Sequence, residues 1–553
     1  LHVWGARSYA DLRTVDGKPF YSFREAAQER GLVDSTEEYK FALTEAAACR
    51  TASQMRTLLA HILMHCDVAN GRDLWDEFKD ALSEDHRRCV SANSEEHYSM
   101  ALRDIQKILM RIGTTNEAYG LPLPNDFDKA AFHNRDFNRE LEYAAINEEE
   151  KAKQMRASMY GEQAEAFDAV MHAVEQRKGA VFFVDGPGGA GKTYLYEALL
   201  SEVRGRRGVA LACAWSGIAA TLLAGGRTCH SRFGLPVPLP RDSVPSSIKA
   251  QSSRAKALRE AQLILWDEAP MGPKEALEAC NDLLQDLMTC DLPFGGKVVV
   301  LGGDFRQVLP VVPHSSREDV VSHSMKAHPY WLQGLVRIHH LRQNMLASAD
   351  KPWQEFLLLV GDGKLQIQTK LSPFSIQLPI EIAAPADWSQ KELIVDVFAN
   401  MAAEAKRCLA NGGLPESLQY FCERAILTPK NVVAESLNAE ILQSIDPSTH
   451  VTYTSVDTIE AATEQDNMLW PIDFLNSLTP SGMPPHSLVL APGALIMLLR
   501  NIDVDVGLCN GVRGIVMQAL PKILDVLIVS GSAAGRRVYI PRMILAPKNP
   551  DLP

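Results

Sequence analysis

The chain has 553 residues, 46% of them apolar and 22% charged, with a formal net charge of -12. This is ordinary globular composition, long enough for about two to four domains with full cores, and it argues against disorder. The acid excess argues against a general nucleic-acid coat but leaves room for a local basic groove.

No apolar run approaches the length of a membrane-spanning helix, and no charged-then-apolar leader opens the chain. The first residue is Leu1, so the sequence is expected to be a fragment or a processed chain. Ten cysteines are scattered singly from Cys49 to Cys509 without a C-x-x-C pair, which argues against a disulfide framework and a zinc site and for a reducing compartment.

Taken in order, residues 1–112 read as a helical N-terminal region. Thr51 and Gln54 form a capping-box pattern ahead of Met55, Leu58, Leu59 and Ile62, and Leu74, Trp75, Phe78 and Leu82 mark a second apolar helix face. His61 and His65 stand one turn apart, but with no third ligand nearby they read as part of a core stripe rather than a metal site. Residues 113–138, broken by Gly120, Pro122, Pro124 and Asn125, read as a linker. The helix expected from Glu140 to Val174 carries Glu148-Glu149-Glu150 as a solvated face, with Gln163 near its middle.

Ala180 to Tyr194 is the stretch around which the middle of the chain is organised. Val181–Val184 is an uncharged apolar run, the pattern of a buried parallel strand, and Leu195, Leu199 and Val203 recur at helical spacing. Between them, Gly186-Pro187-Gly188-Gly189-Ala190-Gly191-Lys192-Thr193 has the spacing of a phosphate-binding loop. Its glycines let backbone N–H groups turn toward phosphate oxygens, Lys192 reaches the terminal phosphates and Thr193 can ligate Mg²⁺.

Beyond it, apolar strands at Val209–Ala214, Leu263–Trp266, Val298–Leu301 and Ala425–Leu427 alternate with helical stretches, which implies an α/β parallel sheet. Ligands in such sheets sit at the carboxyl ends of strands. Asp267-Glu268 arrives at one such end, and alone such an acid pair is as often structural. Beside Lys192 and Thr193 it suggests a division of work, Asp267 holding Mg²⁺ and Glu268 orienting and deprotonating water. Gly302 to Gln307 follows the next strand, and Gln307 suits a γ-phosphate sensor. Ser216 to Thr221 and Gly226 to Phe233 mix basic, hydroxyl and aromatic groups. Arg227 and Arg232 would meet phosphates, with His230 and Phe233 offering flat faces to bases, although ordinary packing explains the same residues equally well.

Taken together, the runs Gly186 to Thr193, Ser216 to Ala220, Arg227 to Ser231, Asp267 to Met271, Gly302 to Pro310, Ala425 to Asn431 and Gly507 to Arg513 resemble, in order and spacing, the motifs of Pif-one-type DNA helicases. They cover most of residues 155 to 545. Leu12 to Gly17 and Leu74 to Asp85 further resemble the region that precedes the helicase motifs in Helitron rolling-circle transposons.

The resemblance implies an ATP- and Mg²⁺-dependent helicase that moves 5′ to 3′ along single-stranded DNA and separates duplex junctions. It would be a nuclear protein of replication, recombination, repair, telomere maintenance or rolling-circle transposition. The implied fold is an α/β P-loop NTPase with two RecA-like parallel-sheet lobes, at 139–340 and, incomplete and with a β-rich insertion, at 341–553. By the same resemblance Gln163 reads adenine, Gly186 to Tyr194 hold the nucleotide, and Lys192, Glu268 and Gln307 act on it. Thr193 and Asp267 take the metal, while Gly217, Arg227, Thr228, His230, Phe233, Asn510 and Arg513 line the DNA path.

Two departures stand out. Leu346 occupies the position of the family's arginine finger, with Arg342 one turn earlier as a substitute. The family's last motifs do not occur before Pro553, so the second lobe is expected to be partial. A truncated or degenerate remnant that binds without unwinding, and another kind of P-loop NTPase, are the alternative readings.

Overall fold

The computed structural model describes residues 13–15, 18–19, 36–49, 51–66, 68, 70–87, 95–127, 135–143, 145–237, 239–240, 246–312, 315–345, 350–365, 375–412, 415–459, 470–480 and 482–546. The chain forms two compact units, residues 128–387 and residues 1–127 together with 388–553.

Residues 128–387 are built on a six-stranded sheet. Its strands are β1 (Ala180–Asp185), β2 (Val209–Ala214), β3 (Arg227–Thr228), β4 (Ala261–Asp267), β5 (Val298–Gly303) and β6 (Val336–His340). They lie in the order β3-β2-β4-β5-β1-β6, every neighbouring pair parallel. The apolar runs explain why: a strand covered on both faces needs no polar alternation. Phe182 and Val184 enter one core cluster with Leu195, Leu199 and Val170, while Val181 and Phe183 enter the other with Leu211, Ile264 and Leu301. This is the period of two that a pleated strand imposes. Each such buried side chain contributes roughly 1.5–3 kcal/mol of apolar transfer.

Helix α1 (Gly161–Glu175) and helix α2 (Lys192–Gly205) supply the first of these faces. Two short helices follow strand ends, α3 (Gly217–Thr221) after β2 and α4 (Cys229–Phe233) after β3. Helix α5 (Lys274–Met288) covers the second face, and α6 (Lys351–Gly361) follows β6. Because all six strands run the same way, the segments after β1, β2, β4 and β5 emerge at one edge.

In the other unit, helices Thr36–Cys49, Ala52–His65, Gly71–Leu82 and Glu96–Ile112 bury Leu43, Leu58, Leu59, Ile62, Leu74, Trp75, Leu82 and Ile105 in one cluster. Thr51 caps the second of these, its hydroxyl accepting from Gln54 N. The cluster also takes in Ile523 and Tyr539, so the N-terminal helices share a core with the C-terminal strands. His65 Nε2 lies 2.8 Å from Ile502 O, and Arg111 Nη1 pairs with Asp503 at 2.5 Å. His61 Nε2 sits 4.0 Å from the same carboxylate, so both histidines face the C-terminal segment. Asn116, inside the expected linker, is buried and donates to Leu102 O and Pro122 O, so the described part of that stretch is packed.

The described ladders of residues 388–553 are antiparallel. Val451–Thr454 pairs with Ser487–Leu490, and Leu495–Met497, Arg513–Ala519, Ile523–Ile528 and Arg537–Pro541 form a four-stranded meander. Ala425–Leu427, expected as a strand, forms no ladder, and Leu427 is 92% exposed. The apolar run has the residue types of a strand, but among the described residues no neighbouring strand edge meets it, and a strand exists only as one member of a pair.

Candidate nucleotide-binding site

The glycine loop hangs between β1 and α2. Gly186 N donates to Gly303 O at the end of β5, which ties the start of the loop to the neighbouring strand. Gly189 (φ 82) and Gly191 (φ 78) take the left-handed conformation, and Gly191 is the N-cap of α2. A side chain at either position would be strained, and at Gly189 its Cβ would fall 2.5 Å from Asn344 Oδ1. The N–H groups of the first turn of α2 are thereby left facing the loop's concavity, the geometry that accepts an anion.

Lys192, half-buried, donates to Gly186 O at 2.5 Å and Pro187 O at 3.1 Å. Burial lowers its pKa, opposed by the charges of Asp267, Asp304, Asp185 and Glu268. Thr193 is exposed, and Tyr194 is turned away, its hydroxyl 2.5 Å from Ser158 Oγ and donating to Met155 O. Gln163 is 3% exposed and donates to Ala190 O and Gly191 O. Its amide thus braces the glycine loop at the start of α2.

Asp267 closes β4, accepts from Glu268 N at 2.9 Å, and is pushed by burial up to about 6. Glu268 stands in left-handed backbone (φ 52, ψ 32), and Ser216 Oγ donates to its Oε2 at 2.8 Å. At the end of β5, Asp304 accepts from Arg306 N, while Arg306 also pairs with Asp304 at 3.1 Å and with Asp362 at 2.8 Å. Gln307 is exposed on the same turn.

A cleft of about 290 Å³ opens beside the loop, lined by Pro187, Gly188, Asp304, Gln307, Arg342, Asn344 and the apolar side of α6 at Leu357, Leu358 and Val360. Asn344 Nδ2 donates to Gly188 O and Met345 N to Gly189 O, so the segment after β6 lies along the loop. Arg342 pairs with Glu162 at 3.3 Å and stays 76% exposed. Leu346 lies outside the described residues, as do Leu12, Asp16 and Gly17. No role was expected of α6 or Asn344 from the sequence. The signal for α6 was there, apolar Trp353, Phe356, Leu357 and Val360 at helical spacing behind the N-cap Asp350.

The residues expected along the DNA path divide. Gly217 begins α3, and Arg227 and His230 are half-exposed near it. Thr228 caps α4 by accepting from Ser231 N. Phe233, however, is 1% exposed and packs 6.3 Å from the Trp266 ring, so it is core and offers no face to a base. Arg232 is also buried, donating to Ala212 O and Gly225 O and pairing with Glu140 at 3.0 Å. A helix of one turn cannot keep every member of its motif on the outside. In the other unit Asn510 is exposed, whereas the Arg513 guanidinium donates to Cys422 O and Arg424 O and so fastens a loop.

A parallel sheet whose first strand delivers a glycine loop, a lysine and a capped helix, with an acid pair and a glutamine at neighbouring strand ends, defines a P-loop nucleotide-binding protein. Residues 158–370 match the PIF1-like helicase family and residues 473–519 the DNA helicase Pif1 2B domain. The ATP-dependent DNA helicase Pif1 of Psychrobacter sp. is 26% identical over 343 residues, covering 61% of this chain and 44% of the relative. That of Bdellovibrio bacteriovorus is 35% identical over 162 residues, 29% of this chain and 34% of the relative. Among solved structures, Pif1 helicase from Candida albicans aligns with 69% of this chain and 78% of its own, at 19% identity and a TM-score of 0.43. The chain spans less than half the length of these curated relatives. Among the described residues no helix is long and apolar enough to cross a membrane.

Proposed function

We propose that this chain carries the ATPase region of an ATP-dependent DNA helicase that moves 5′ to 3′ along single-stranded DNA and opens duplex junctions. One observation carries the reading. Lys192, Asp267, Glu268 and Gln307 stand at one edge of a single parallel sheet, around a loop with anion-binding geometry.

Lys192 would exchange the carbonyls of Gly186 and Pro187 for the terminal phosphates. Glu268 would orient the attacking water and take its proton, and Gln307, exposed at the cleft, would sense the γ-phosphate. The exposed hydroxyl of Thr193 and the carboxylate of Asp267 are hard oxygen donors that fit Mg²⁺, which would neutralise charge on the phosphates. Arg342, which lines the cleft, would bring a cation to the transferring phosphoryl group. Gly217, Arg227 and His230 would meet the DNA strand, and Asn510 would stand on the β-rich insertion of a partial second lobe. Similarity to proteins named ATP-dependent DNA helicases supports an ATP-dependent helicase, and a nuclear role in DNA maintenance or in rolling-circle transposition accords with the sequence resemblance.

The test is ATP hydrolysis with and without single-stranded DNA. Hydrolysis that DNA stimulates and Lys192→Ala abolishes supports the reading, and DNA-independent hydrolysis overturns it. A second reading, nucleotide and DNA binding without turnover, is favoured by Leu346 at the position of the family's arginine. Bound ATP without hydrolysis, restored by Leu346→Arg, would select it.

A further inference from the structure

We propose that Ser216 is a positioning residue that couples the DNA-facing loop after β2 to Glu268. The inference rests on the reading of the chain as a DNA-stimulated ATPase.

Ser216 Oγ makes two contacts at once. It accepts from Ala219 N at 3.2 Å, capping α3, and donates to Glu268 Oε2 at 2.8 Å, across to the end of β4. Glu268 is held in left-handed backbone, a conformation that a residue with a Cβ keeps only where its surroundings impose it. The Ser216 hydroxyl is one of those constraints, and Met271 N, donating to Glu268 O at 3.1 Å, is another.

The residue before Ser216 extends the link. The Trp215 ring lies 4.7 Å from that of His230 and stacks at 6.3 Å on Trp266, which precedes Asp267 in β4. Thus Trp215 and Ser216 touch both the α3–α4 surface and the strand end that presents the acid pair. A DNA strand seated on Gly217 and His230 shifts α3, and a shift of α3 carries its cap with it. The hydrogen bond to Glu268 is then lost, and the carboxylate turns toward the phosphate edge. Without DNA the hydroxyl keeps Glu268 parked.

The experiment measures kcat and KM for ATP with and without single-stranded oligothymidylate, in the full chain and in Ser216→Ala, Ser216→Thr and Ser216→Asp. Thr keeps both cap and donor, Asp keeps the cap but cannot donate to a carboxylate, and Ala loses both. Hydrolysis without DNA should rise in Ala and Asp, and the stimulation by DNA should fall about fivefold or more, with KM unchanged and Thr behaving as the unaltered chain. An unchanged stimulation ratio in Asp, or a fall without a rise in the DNA-free rate, overturns the coupling while leaving the ATPase reading intact. No hydrolysis by the unaltered chain removes the ATPase reading and the coupling with it.

Discussion

Lys192 Nζ lies 2.5 Å from the carbonyl oxygen of Gly186, the first residue of its own loop. The cation proposed for the phosphates thus lends its charge to the loop backbone, keeping the carbonyls of Gly186 and Pro187 satisfied beside the first turn of α2. Lys192→Ala removes both functions. Nucleotide affinity, followed by fluorescence of a labelled ATP analogue, should weaken and hydrolysis should fall roughly a hundredfold or more, as when one charge-stabilising donor is lost. Full binding with only the rate reduced would assign the lysine to turnover alone.

Asp267 gives a dependence on pH. Burial pushes its carboxyl up to about 6 from an ordinary value near 3.8. The folded chain therefore holds this proton more tightly than the unfolded chain, so between those two values stability contributed by this group declines as pH rises. Asp267→Asn should stabilise the nucleotide-free chain at neutral pH by at most about 3 kcal/mol and leave it unchanged near pH 3.8. Thermal melts across that range check this, and a variant less stable than the parent at neutral pH contradicts it. The same substitution should abolish hydrolysis, the mark of a carboxylate retained for function against stability.

Phe233 separates two explanations of one motif. Because its ring is core, Phe233→Ala should cost about 3–5 kcal/mol in chemical denaturation. Phe233→Leu should cost less and leave affinity for single-stranded DNA where it was. A weakened affinity in a stably folded Leu variant would return the ring to the DNA path.

In the other unit, Asp503 is 4% exposed at its side chain and relies on Arg111. Arg111→Ala leaves that carboxylate buried with His61 4.0 Å away. The expected loss is about 3 kcal/mol, because an uncompensated buried charge is the dominant penalty. Asp503→Asn should suppress most of it in the double variant, and simple additivity of the two losses would show that the pair is not coupled.

What could be read from the sequence was what neighbours along the chain decide. The glycine loop, its flanking strand and helix, and the acid pair after β4 are local patterns, and each stands where it was expected. Contacts closed by the tertiary fold were invisible. Ser216 and Glu268 are 52 positions apart, and Asn344 and Gly188 are 156. Phe233 and Arg232 show the opposite error, in which a motif's residue types suggest exposure and packing turns them inward. Ala425–Leu427 shows a third, since strand propensity says nothing about whether a partner edge is present.

The helices of residues 36–112 complete their core with Ile523 and Tyr539. During synthesis those helices leave the ribosome first, yet the strands that cover them come more than four hundred residues later. At about 5–20 residues per second that interval is on the order of tens of seconds, during which the sheet of residues 128–387 can form in full. The nascent amino-terminal segment would therefore show its apolar side to chaperones after the parallel sheet has already closed. Emergence of Ile523 and Tyr539, rather than of the first helices, would set the moment at which that unit becomes resistant to protease.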